Sequence, residues 1–163
     1  MRSALSNKFS IRDANTKDLD IIASFFLDLH KVHIERYPHI FRDMSLFEAR
    51  KFLEDKLVDR SCFVRVVSLT SDVVGYSLSR LKSVKESALV WRRETLFLDH
   101  IFISNKVRRT GAARLLIEDL SKIAEEYKAK YLETDAWDLN QQAFYLFDNT
   151  GFRAMNTFLY LKV

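Results

Sequence analysis

The sequence predicts an α/β (α+β) fold: one domain, a mixed central sheet, and helices on both faces of it. Three observations carry this. Residues 96–103 and 131–137 are β-rich runs separated by a long amphipathic stretch. A β-α-β unit of that kind demands parallel strands and a right-handed crossover. Residues 62–69 and 73–81 are β-rich runs joined by Thr70-Ser71-Asp72, a hairpin signal that demands antiparallel strands. The chain has 163 residues, 48% hydrophobic and 29% charged, enough for one substantial core and ordinary for a globular domain.

The elements follow in order. Residues 1–8 read as a tail, and the domain spans 9–163. Phe9-Ser10-Ile11-Arg12 is a short first strand. Asn15 or Thr16 can cap the next helix, with Asp18 and Asp20 favourable in its first turn. Leu19, Ile22, Phe26 and Leu29 recur at helical spacing and give it a buried face. It stops near Tyr37-Pro38, because a residue before proline avoids the α region. Ser45-Leu46-Phe47-Glu48 is a capping box that opens a second helix, with Ala49, Phe52, Leu53 and Leu57 turned inward.

The hairpin comes next, then a polar stretch at 82–94 that reads as a loop or an irregular strand extension. A strand follows at 95–103. Leu116, Leu120, Ile123 and Tyr127 step round one face of a helix, with Glu118, Asp119, Lys122 and Glu125 on its wet side. A strand at 131–137 and a short helix at 140–150 follow, the helix closed by Gly151 in a left-handed cap. Residues 157–163 alternate as a final strand. The order is β-α-α-β-β-β-α-β-α-β, without repeats.

The segment richest in chemical meaning is Val107-Arg108-Arg109-Thr110-Gly111-Ala112-Ala113-Arg114, where one of only three glycines sits between a strand and a helix start. The first turn of a helix offers unpaired N–H groups and the positive end of its dipole. Small residues let a phosphate approach the backbone, and arginines add charge and planar donors. A nucleotide P-loop would need a following Gly-Lys-Ser/Thr, and a dinucleotide site would need Gly-x-Gly-x-x-Gly; both are absent from the sequence.

Arg108-x-x-Gly111-x-Ala113 resembles the Arg/Gln-x-x-Gly-x-Gly/Ala signature of the GNAT superfamily of N-acetyltransferases. Gly75 after Val73-Val74, and the pair Gly151-Phe152, resemble that family's other glycine positions. The resemblance covers about residues 9–163. It implies a GNAT-like fold and acetyl-CoA as co-substrate. It also implies cofactor contacts from the backbone of Arg108, Arg109, Thr110, Gly111, Ala112 and Ala113, from the main chain of Ile101 and Ile103, and from Asn140. Lys106, Arg109 and Arg114 are candidates for the 3′-phosphate or for plain surface charge.

Acetyl transfer to an amine requires removal of the amine's proton. The resemblance implies a carboxylate at Asp99 as base, and His100 is the second candidate because its ordinary pKa near ~6.5 suits the task. Neighbours on a strand face opposite sides, so one of the two at most is expected to face the cleft. The family's tyrosine that protonates the departing thiolate corresponds to Phe147. Tyr145 stands about 200° away round the helix and does not substitute for it. His33, Glu35 and Tyr37 lie where the resemblance implies an acceptor lid and are candidate substrate contacts. His30-x-x-His33 lacks further ligands, so no metal is expected.

The net charge of +4 suits an anionic co-substrate, and no basic run with interleaved aromatics favours nucleic acid. The single Cys62 excludes an internal disulfide and fits a reducing compartment, so the expected location is cytoplasmic. No apolar run approaches the ~18 residues of a membrane span. A homodimer is compatible with the sequence. The expected function is acetyl transfer from acetyl-CoA to a primary amine, of a small molecule or a peptide, by direct attack. The alternatives are a non-catalytic acyl-CoA-binding module and an acetyltransferase acting on charged tRNA.

Overall fold

The computed structural model describes residues 8–138 and 140–161. Strands β1 (Phe9–Asp13), β2 (Cys62–Leu69), β3 (Asp72–Val84), β4 (Arg93–Ile103) and β5 (Tyr131–Thr134) form one sheet in sequence order. The first four are antiparallel to their neighbours, and β5 joins β4 in parallel. The four α-helices are α1 (Leu19–Arg36), α2 (Leu46–Val58), α3 (Ala112–Glu126) and α4 (Gln141–Asn149). The mixed sheet thus has the parallel and antiparallel parts that the sequence predicts.

Local chemistry accounts for the helix starts. The Asn15 side chain accepts from Lys17 N–H and Asp18 reaches back to Asn15 N–H, which closes a short 3₁₀ turn just before α1. Asp18 is almost fully buried, and two hydrogen bonds from Arg12, 2.7 and 2.9 Å long, hold its carboxyl below the usual carboxylate range. Ser45 and Glu48 form the expected capping box at α2.

Helices α1 and α2 cover one face of the sheet. Leu19, Ile22, Phe26, Ala49 and Leu53 pack there on Val64, Val66, Tyr76, Leu78 and Phe102. On the other face α3 and α4 lay Leu116, Ile117, Leu120, Ile123 and Phe147 against Leu96, Leu98, Val67 and Ile103. Tyr127, expected inside, lies half exposed past the end of α3, where its ring meets Phe63 at 4.9 Å. Among the described residues no helix is long and apolar enough to cross a membrane.

Two strand expectations change. β5 ends at Thr134 rather than near 137, because the chain diverges from β4 there. Residues 157–161 form no strand, and residues 162 and 163 lie outside the described residues. Strand-like alternation needs an edge to pair with, and this segment packs on none. Its Phe158, Leu159 and Leu161 remain 83–89% exposed.

Candidate active site

The pairing of β4 creates the site. Residues Thr95 to Leu98 pair with Tyr131 to Thr134, and Thr134 Oγ1 donates to Leu98 O at 2.9 Å as the last link. Beyond it β4 continues to Ile103 with β3 on one side and, among the described residues, no strand on the other. A cavity of about 310 Å³ occupies this split. Its walls come from α1 and the loop after it (Phe26, His30, His33, Phe41), from β4 (Leu98 to Ile101), from the chain after β5 (Asp135 to Trp137, Asn140) and from α4 (Ala143, Phe147). The cavity therefore draws on both faces of the sheet.

A bulge sets the side chains. Leu78 pairs with His100 and Ser79 with Leu98, so Asp99 is an extra residue in β4. The insertion reverses the alternation: Leu96 and Leu98 face α3, and beyond the bulge Ile103 takes that face while Phe102 packs against α1. Strict alternation would allow only one of Asp99 and His100 into the cleft; both line the cavity, because the bulge breaks the alternation between them.

Asp99 accepts two hydrogen bonds from Arg80 Nε, at 2.9 and 3.0 Å. The His100 ring packs on Phe26 and Phe52, and its Nδ1 is buried without a hydrogen-bond partner. Burial lowers its pKa to about 4, against a smaller upward pull from Asp99, while His33 and His30 press it down further. The imidazole is therefore neutral at physiological pH. The folded state binds this proton less readily than the unfolded chain, whose histidine titrates near 6.5. Stability is then full above that value and falls as pH drops from about 6.5 to about 4, by up to about 3 kcal/mol. Urea midpoints measured across this interval test it: His100→Asn should flatten most of the slope, and an unchanged slope would refute the assignment.

The basic turn leaves helix-start N–H groups without a side-chain cap. A 3₁₀ turn, Asn105–Val107, ends β4, and Thr110 Oγ1 donates to Val107 O at 2.6 Å. Arg109 (φ 64°) and Gly111 (φ 99°) both adopt left-handed backbone. Gly111 is the N-cap of α3 and has no side chain to accept from the first helical N–H groups, which leaves them for a ligand. Arg108 donates through Nε to Ile103 O at 3.1 Å and through Nη1 to Gln142 at 3.3 Å, tying the end of β4 to α4. Arg114 donates to Asn149 O at 2.9 Å, while Arg109 is exposed beside the turn. Ala112 is buried, Ile101 lines the cavity, and Ile103 packs under the turn. Asn140 caps α4 by accepting from Ala143 N–H at 3.0 Å and also lines the cavity.

The candidate acceptor residues separate. His33 lines the cavity, with Nδ1 on Leu29 O at 3.0 Å and a pKa lowered chiefly by burial. Tyr37 is buried outside the lining, donates its hydroxyl to Asp138 and packs on Trp137 at 5.1 Å. Glu35 is exposed beside Lys31, 3.9 Å away, and also lies outside the lining. Among the described residues no three His, Cys, Asp or Glu gather as a metal group. Sequence reasoning missed Arg80, Lys82, Phe97, Phe41 and Trp137, all of which line the cavity. Only Arg80 and Lys82 carried a signal, since they continue the inward-facing parity of Tyr76 and Leu78 along β3.

Phe147 is buried, lines the cavity and packs on Phe152 at 5.2 Å, whereas Tyr145 is 74% exposed. None of the described lining residues is tyrosine, serine or cysteine.

Comparison with known proteins gives this geometry its context. The family model described as acetyltransferase (GNAT) family matches residues 26–152. Among curated proteins, none matches the sequence. The fold is similar to the BH1408 protein from Bacillus halodurans in its tetramutant form, with TM-score 0.88, 19% identity, and coverage of 94% of this chain and 99% of that one. It is similar to the aminoglycoside acetyltransferase meta-AAC0020 from an uncultured soil metagenomic sample (TM-score 0.70, 14% identity, coverage 98% and 97%). It is also similar to AAC(6')-Iy in complex with the bisubstrate analogue CoA-S-monomethyl-acetylneamine (TM-score 0.76, 14% identity, coverage 95% and 97%).

Proposed function

Because the chain belongs to the GNAT acetyltransferase family, we propose that it transfers the acetyl group of acetyl-CoA to the primary amine of an acceptor by direct attack. The observation that carries this is the split between β4 and β5 opening beside the uncapped start of α3. The backbone from Arg108 to Ala113 suits the pyrophosphate. The unpaired edge of β4 at Ile101 and Ile103 suits the amide-bearing arm, and Asn140 can add a side-chain contact. AAC(6')-Iy, similar in fold, forms a complex with a CoA-containing bisubstrate analogue, which supports a CoA thioester as the donor.

Acetyl-CoA supplies the acyl thioester. The amine nitrogen forms a bond to the acyl carbon as the carbon–sulfur bond breaks, and the amine loses a proton. Asp99 is the first candidate to take that proton, directly or through water, with Arg80 fixing its carboxylate. His100 is the second, neutral and with a free Nδ1. Asp99→Asn and His100→Asn decide between them: the base is the residue whose loss cuts kcat by about 10²-fold or more while acetyl-CoA affinity holds. If neither does, solvent takes the proton and both assignments fall.

The departing thiolate needs little help, since a thiol pKa is about 8.5. Phe147→Tyr should therefore retain turnover, measured as free-thiol release; a collapse of turnover with an unchanged melting temperature would contradict this. The reading includes a cytoplasmic location and a homodimer. The exposed apolar side chains of 155–161 favour self-association. Sedimentation of the full chain against Phe158→Ser/Leu161→Ser tests it: a dimer that becomes a monomer is expected, and a monomeric wild type refutes it.

A further inference from the structure

Strand β3 carries Tyr76, Leu78, Arg80 and Lys82 on one face. Tyr76 and Leu78 are buried under α1 and α2. Arg80 and Lys82 extend past that cover into the cavity wall, on either side of Phe97. The Lys82 ammonium lies 3.2 Å from the Phe97 ring centroid and the Arg80 guanidinium 5.4 Å from it. Two cations on one ring repel each other. Arg80 is offset by Asp99 at 2.9 Å. Among the described residues Lys82 has no carboxylate within 4.0 Å and no hydrogen-bond partner. The same wall holds Asp135, for which no cation within 4.0 Å is found among the described residues. With Arg80 and Asp99 set against each other, the Lys82 ammonium, held on the Phe97 ring, and the exposed Asp135 carboxylate are left in the cavity lining without ion-pair partners among the described residues.

We propose that the acceptor is a zwitterion of the amino-acid class, an amine carrying its own carboxylate, and that Lys82 holds the carboxylate with Asp135 facing the ammonium end. This rests on the reading that the cavity takes an acetyl acceptor. A polycation, by contrast, meets the Lys82 charge inside the cavity. Lys82 is thereby a specificity residue rather than a catalytic one.

The test compares phenylalanine with phenylalaninamide, and lysine with lysinamide, as ligands of the full chain saturated with coenzyme A. Calorimetry reads the affinities. At least one free acid should bind about tenfold or more tightly than its amide, the scale of one charge-assisted contact. Lys82→Gln should erase that preference while leaving the amide's affinity and the coenzyme A affinity unchanged, and Lys82→Arg should keep most of it. Equal or better binding of both amides, no binding by either acid, or a preference that survives Lys82→Gln overturns the proposal. Acetyl-CoA binding is measured in parallel samples that hold no coenzyme A. Its absence beside an intact acid preference defeats the acetyltransferase reading and spares this one, and binding without acid preference does the reverse.

Discussion

Arg108→Ala combined with Gly111→Asp should abolish the stabilisation that acetyl-CoA gives the wild-type chain. At ligand near 100 times Kd, mass action adds about 2.7 kcal/mol, or roughly 5–10 °C for a domain of this size. The double variant acts at two points. Removing the Arg108 guanidinium takes away a charge and frees the link between Ile103 O and Gln142. A Cβ at Gly111 meets no atom within 4 Å, so the substitution does not clash; its cost is the left-handed backbone at φ +99°. Aspartate tolerates that conformation better than most side chains and is a favoured N-cap. It would set a carboxylate where the phosphates are proposed to lie. The fold should survive and the binding should not. A variant that melts near the wild-type temperature and still shifts with acetyl-CoA would contradict the cradle assignment.

Gly75→Val should be the most damaging single substitution in the sheet. A Cβ at residue 75 would lie 2.5 Å from Phe102 O and 2.6 Å from Ile103 Cδ1. One of these is backbone and cannot swing away, so β3 and β4 must part where β4 carries the unpaired edge. Overpacking of this kind costs about 1–3 kcal/mol for a tolerated insertion, and the backbone contact puts valine at or beyond the top of that range. We expect a melting temperature lower by roughly 5–10 °C and weaker acetyl-CoA binding, measured by thermal unfolding and calorimetry. A melting temperature within the error of wild type would show that the strands can separate freely.

The features legible in the sequence are those decided by neighbours along the chain. The Ser45–Glu48 capping box, the hairpin and the start of α3 at Gly111 depend on residues a few positions apart, and the structure has each of them. The β-α-β unit was legible because a parallel pair requires a crossover, and β4 and β5 are parallel. Features set by pairing were not. The bulge at Asp99 arises from the register against β3, so the alternation rule failed at the two residues proposed for proton transfer. Lys82 opens a stretch that reads as a loop or an irregular strand extension, yet the ladder runs on to Val84. Trp137 meets Phe41 at 4.9 Å only because the chain after β5 folds back across the loop after α1. The final run at 157–161 has the pattern of a strand without a neighbour, and pattern alone cannot supply one.

Acetyl transfer itself is open to a direct assay. The most direct measurement incubates the chain with acetyl-CoA and a panel of primary amines, and follows free thiol together with the mass of the amine. Amine-dependent thiol release and a product heavier by one acetyl group are expected. Acetyl-CoA binding with neither thiol nor acetylated product, across amino acids, polyamines, aminoglycosides and peptide amines, would contradict it and leave a protein that binds the acyl donor without using it.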